Sequence, residues 1–237
     1  MMMRAELHIH STLSGCADSE NTIPNIINMG TVLDLDIMAI SDHNSILNVP
    51  AAIECAKECG DIVIVPAMEV TTSEDIHVLC LFPTYEQAKT VFNKVQATLP
   101  HYPLNTAFYL PQRITDKDDN TIDTIPYLLS VGCGIGVYEL VELTYKCGGI
   151  AIPAHVDKDS NGILAILGEI PTDLGVTAVE VSSNCPKQLL DDLRKNYHVL
   201  TSTDAHNLET LCSSDFEIDL TEKTALCLVN TLNNVVK

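Results

Sequence analysis

Two histidines open the chain's chemistry. His8 and His10 stand two residues apart in the apolar run Leu7-His8-Ile9-His10. Side chains alternate faces along a strand, so both imidazoles project to one side, about 7 Å apart along the strand. Leu7 and Ile9 are expected on the other side, in apolar packing. Two imidazoles on one rigid face can chelate one cation, and imidazole suits zinc, manganese and iron. Further along stand Ser41-Asp42-His43-Asn44, Met68-Glu69-Val70, Asp75-Ile76-His77, Pro153-Ala154-His155 and Asp204-Ala205-His206. Each of these alone has an ordinary explanation, and Asp42 and Asp204 are good helix N-caps. Together they place imidazole or carboxylate at five further positions on or just after strand-like segments. Crowding so many titratable groups is costly unless bound metal compensates. The pattern therefore reads as a metal cluster, with His101 and His198 outside it.

The elements that must carry these residues alternate. Strand-like runs fall at 4–10, 36–41, 61–66, 75–82, 149–154, 176–182 and 198–203, several of them almost continuously apolar, as buried parallel strands are. Helical patterns occupy 24–33, 49–59, 85–99, 136–147, 162–168 and 186–196, and a last helix is expected over 222–236. Strands separated by helices predict an α/β fold with a parallel, closed sheet, and such barrels gather their chemistry at the strands' C-terminal ends. Residues 100–135 break the pattern. This stretch is rich in Pro, Asn, Thr and Asp, and reads as an excursion with a hairpin about Asp119-Asn120, a lid rather than a domain of its own. Residues 1–237 are thus expected to form one domain. Gly132-Cys133-Gly134-Ile135-Gly136 follows no convincing strand and reads as a helix entry, not a phosphate-binding loop.

Bulk composition bounds the partners. The chain has 237 residues, a formal net charge of −19 and only 13 Lys and Arg, which argues against a long nucleic acid, because phosphate backbones are gripped by cationic side chains. A small phosphorylated substrate remains compatible, since bound cations invert the local charge. No run of about 18 apolar residues exists to cross a membrane. No apolar leader precedes the first strand, and nine unframed cysteines read as reduced thiols, so a cytoplasmic location is expected. Cys55 and Cys59 stand four apart on one helix face and read as packing residues. No Gly-x-Ser-x-Gly nucleophile elbow is present. Nothing in the sequence speaks to oligomeric state.

HIHS at 8–11, ISDHN at 40–44, PAMEVTT at 66–72, DIHVLCLFP at 75–83, PAH at 153–155 and STDAH at 202–206 occur in an order and spacing that resemble the PHP (polymerase and histidinol phosphatase) domain family. Residues 105–125 are also similar to those of small bacterial members of undefined activity. The resemblance implies a distorted seven-stranded (β/α) barrel, like a TIM barrel, with three divalent ions: zinc, manganese or iron. It places His8, His10, Glu69 and Asp204 on a first ion. Glu69 would bridge to a second, held also by His77 and His155. His43, His206 and one ligand from the loop after the first strand would hold a third. That loop departs from the family, which usually has Asp or His where Gly15 and Cys16 stand here; Asp18 is the expected ligand and Cys16 its rival. The implied activity is hydrolysis of a phosphate ester of a small metabolite or nucleotide by metal-activated water, with Glu69, His155 and Asp204 at its centre. Lys158 and Arg113 are the candidate cations for the phosphate. Two alternatives stay open: a metallohydrolase acting on C–N or C–O bonds, and a non-catalytic metal-binding regulatory module.

Overall fold

The computed structural model describes residues 1–236. In chain order it runs β1 (Met2–Ile9), α1 (Ile23–Val32), β2 (Ile37–Ile40), α2 (Val49–Cys59), β3 (Val63–Thr71), β4 (His77–Leu81), α3 (Tyr85–Thr98), β5 (Gln112–Thr115) and β6 (Thr121–Ile125). It continues with α4 (Val137–Lys146), β7 (Ile150–Pro153), α5 (Ile163–Leu167), β8 (Ala178–Val181), α6 (Lys187–Leu193), β9 (His198–Thr201), α7 (Leu208–Leu211), β10 (Glu217–Asp219) and α8 (Ala225–Asn233). Local chemistry explains the helix starts: the hydroxyls of Thr22, Thr84 and Thr224 accept the Asn25, Gln87 and Cys227 amides. At Gly30, α1 presses so close to β2 that a Cβ would lie 2.2 Å from the Met38 sulfur.

Each of the seven expected strands falls on an observed one, but the sheet is not a single parallel ring. Six strands form a curled sheet in the order β10-β1-β2-β3-β4-β7, β8 and β9 pair separately in parallel, and β5–β6 make the hairpin expected about Asp119-Asn120. β1, β2 and β3 are parallel, whereas β4 runs antiparallel to both β3 and β7. The reason is the connection. Only residues 72–76 separate β3 from β4, far too few for the crossover that a parallel neighbour needs. β10 and α7 have no counterpart in the sequence reading; both are very short. Backbone bonds carry the curl onward at one end. The Val156 amide donates to the Glu180 carbonyl (2.8 Å), and Ala205 exchanges bonds with His8 and His10 (both 3.0 Å), joining β7 to β8 and β9 to β1.

Inside the curl, Leu7, Ala39, Val65, Leu79, Ile152, Ala178 and Leu200 pack together with Leu228, Val229 and Leu232 of α8. Ile9 does not join them. The β1–β2 register shifts between Glu6 and Ile9, so Leu7 enters this inner core while Ile9 packs outside with α1 and α2. The simple alternation expected for this strand is thus broken by a bulge, a device that re-aims side chains beside sites.

The 100–135 excursion is bound down at several points. Its Leu110 and Arg113 amides donate to the Gly15 (2.8 Å) and Thr12 (2.9 Å) carbonyls, and the Thr115 amide donates to Asn48 Oδ1 (3.0 Å). The 132–136 stretch is a helix entry, and the Glu74 carboxylate accepts the Val137 amide at the start of α4.

Candidate metal centre

The cluster forms at one end of the curled sheet. β1, β2, β3 and β7 deliver His8, His10, His43, Glu69 and His155 from or just beyond their C-terminal ends. β4 runs the other way, and His77 is its first residue, so reversal brings it to the same end. Asp204 and His206 follow β9. His155 and Asp204 have left-handed backbones, φ 31° and 50°, conformations that concentrate at functional sites.

Glu69 is the hub. It is 1% exposed, and its carboxylate lies 2.7 Å from His77 Nδ1, 2.9 Å from His43 Nδ1, 3.3 Å from His155 Nε2 and 3.4 Å from both His8 Nε2 and His10 Nε2. Burial pushes its pKa up, but the surrounding His77, His8 and His43 hold it well below the usual carboxylate range.

The ring nitrogens that face the cluster are set by bonds behind them. The Ser14 hydroxyl donates to Asp42 Oδ1 (2.7 Å), so it accepts from His10 Nδ1 (3.0 Å) and leaves His10 Nε2 as a lone pair. Glu180, buried on β8, accepts from His8 Nδ1 with both oxygens (3.0 Å), and also accepts the His155 amide (3.1 Å). His8 Nε2 is thereby freed in the same way, and the two Nε2 atoms stand 3.2 Å apart. With both rings neutral, two lone pairs so close in a buried site repel unless positive charge lies between them. Burial lowers the His8 pKa, but the Glu180, Glu69 and Asp204 carboxylates outweigh it and hold it well above the ordinary imidazole value, so a proton fills the place a cation would take. His43 Nδ1, His77 Nδ1, Glu69 Oε2 and Asp204 Oδ1 are buried without a well-aligned hydrogen-bond partner. Ligand atoms within 4.8 Å of one another form three groups: His8, His10 and Glu69; His43, Glu69 and His77; and His10, His43 and His206. This donor set fits divalent metal.

The grouping differs in detail from the one expected. His43 stands with Glu69 and His77 as well as with His206, and His155 reaches the cluster through Glu69. Asp204 approaches His10 Nε2 (3.2 Å) and His8 Nε2 (3.5 Å). Lys158 donates to Asp204 Oδ2 (2.6 Å) and lines the cleft, a cavity of about 310 Å³ bounded also by Cys16, Tyr109 and Asn161.

Two expected residues stand elsewhere. Asp18 is exposed, and its Oδ1 accepts the Glu20 amide (3.0 Å) in a local turn. Arg113 donates to Thr121 and Asp119 within the hairpin and lines a separate small pocket with Asp18. Cys16, the rival, also reaches solvent, but unlike Asp18 it lines the cleft beside His43 and His206. Burial raises its pKa, yet hydrogen bonds to His206 and His43 prevail and bring it to about 6. Glu180 was missed in the sequence. Asp42 serves behind the ligands, holding Ser11 and Ser14.

The sequence model of the PHP domain matches residues 6–214. The chain belongs to the PHP domain family. Solved structures share the PHP fold at low identity. A lesion-specific endonuclease, PfuEndoQ from Pyrococcus furiosus, superposes with TM-score 0.70 at 17% identity, over 98% of this chain and 56% of that one. This chain thus spans a little over half of that enzyme's length. A putative metal-dependent phosphoesterase from Bifidobacterium adolescentis gives 0.58 at 17%, over 86% and 87% of the two chains. An amidohydrolase from Chromobacterium violaceum gives 0.58 at 18%, over 93% of each. No curated protein matches the chain by sequence. Among the described residues no helix is long and apolar enough to cross a membrane.

Proposed function

We propose that the protein is a phosphoesterase that hydrolyses a phosphate ester of a small metabolite or nucleotide at three divalent ions, of zinc, manganese or iron. The observation that carries this reading is the convergence of His8 Nε2, His10 Nε2 and the Glu69 carboxylate on one buried point beside a lysine-bearing cleft. His8, His10, Glu69 and Asp204 would hold one ion, Glu69 with His77 and His155 a second, and His43 with His206 and one ligand from the loop after β1 a third. Bound there, such ions supply Lewis acidity and activate water for in-line displacement.

The chain's own residues do the rest. Glu69, between several imidazoles, supplies the negative charge that lets ions sit close together. Asp204 holds Lys158 at the cleft wall, where its ammonium can turn to a phosphoryl oxygen. The cavity, about 310 Å³, suits a small ligand. The net charge of −19 disfavours a long polyanion. The endonuclease that shares the fold has a chain nearly twice as long, so its DNA substrate is not carried over.

The test is a panel of phosphate monoesters, nucleotide diesters, amides and short lesion-bearing duplexes, assayed with added manganese or zinc. Phosphate ester turnover by wild type and none by His155→Ala supports the proposal. Turnover confined to amides would move the assignment to the chemistry named for the Chromobacterium neighbour, and turnover confined to the duplexes would move it to nucleic acid.

A further inference from the structure

The loop between β1 and α1 is folded by consecutive tight turns. Ser14 and Ala17 amides donate to the Ser11 (2.9 Å) and Ser14 (2.8 Å) carbonyls, and the Asp18 amide donates to the His206 carbonyl (2.8 Å). That last bond ties the loop to the segment bearing His206, two residues beyond Cys16. On the facing side, His206 Nδ1 donates to the Asp204 carbonyl (2.9 Å), which leaves Nε2 as a lone pair. His10, His43 and His206 offer ring nitrogens within 4.8 Å of one another, and Cys16 lines the same cleft as His43 and His206, whose rings draw its thiol toward the thiolate. Asp18, the oxygen donor on this loop, accepts the Glu20 amide with Oδ1 and lines the separate pocket beside Arg113 rather than the cleft.

We propose that Cys16 is a ligand of the third ion, so that this position is a thiolate–imidazole site built from Cys16, His43 and His206. It rests on the metal-centre reading above. The consequence is selectivity within one cluster. Sulfur with imidazole favours zinc or cobalt over manganese, whereas the carboxylate-rich positions around Glu69 accept harder ions. Binding replaces the S–H bond with an S–metal bond and releases the proton to solvent.

The test uses the full-length protein, stripped with chelator and reloaded with cobalt(II). Expected for wild type is a thiolate-to-cobalt charge-transfer band that grows as the last equivalent binds. Cys16→Ser should lose that band and one equivalent of metal. Cys16→Asp should regain the equivalent without the band and shift its preference toward manganese. Loss of the equivalent in Asp18→Ala but not in Cys16→Ser overturns the proposal, as does a band that survives Cys16→Ser and so belongs to another cysteine. Wild type that binds only Glu69-dependent metal, with no band, overturns the thiolate site and leaves the phosphoesterase reading standing. Wild type that binds no metal overturns both.

Discussion

Glu69 and Glu180 are carboxylates in one buried cluster with different duties, and substitution to the isosteric amide separates them. Glu69→Gln keeps shape but removes the charge that five imidazoles face, so at least two ions should loosen. Metal content and phosphoesterase turnover should fall together, turnover by several orders of magnitude. Glu180 touches the ligand His8 rather than the cleft, fixing its tautomer and orientation. Glu180→Gln should weaken metal binding by roughly 10–100-fold, read by chelator competition, while saturating metal restores most of kcat. Lys158→Ala should raise KM for an anionic ester more than it lowers kcat, with neutral substrates unaffected. The clustering itself was legible, because imidazoles and carboxylates are costly residues to place together at strand ends without a purpose. Glu180 was not. In Val179-Glu180-Val181 an alternating strand explains the carboxylate as solvent-facing, and only the fold brings β8 behind His8. Asp18 has a donor type that suits a hard cation, but an Asx turn to Glu20 competes for its Oδ1, which the sequence does not announce.

At the scale of elements, the helices and strands were largely readable from periodicity, while their directions were not. A short apolar run looks alike in a parallel and an antiparallel strand; the five-residue link at 72–76, shorter than the gap between the expected strands at 61–66 and 75–82, is what dictates the reversal of β4. The bulge in β1 was equally invisible, since no Gly or Pro marks it. The excursion was recognisable by composition, but not the side chains that bind it. Asn44 is one. Fully buried with φ 49°, it donates through Nδ2 to the Leu129 (2.6 Å) and Val131 (2.9 Å) carbonyls, while its Oδ1 accepts the Thr71 amide (3.1 Å). Asn44→Ala should cost about 2–4 kcal/mol by denaturant melting, from the orphaned backbone groups together with the left-handed backbone. Asn44→Gly, which relieves only the backbone, should be milder by about 1 kcal/mol.

For the whole molecule, metal and folding are one equilibrium. Ions that bind the native cluster and not the unfolded chain stabilise by about 4 kcal/mol at a thousandfold excess over Kd. Chelator should therefore lower the melting temperature, re-addition of zinc or manganese should restore it in a concentration-dependent manner, and Glu69→Gln should blunt the response. The expected closed barrel was close to the observed architecture. What the sequence could not show is that the ring is completed by a few backbone bonds, His8 and His10 with Ala205, and Val156 with Glu180, instead of a full ladder. That seam has a consequence for synthesis. His8 and His10 leave the ribosome early, whereas Asp204 and His206, just past the segment that latches onto β1, follow roughly 10–40 s later at ordinary elongation rates. Until Asp204 and His206 emerge, the growing polypeptide can pick up ions only through fragments of the cluster, and the full complement can load only after that.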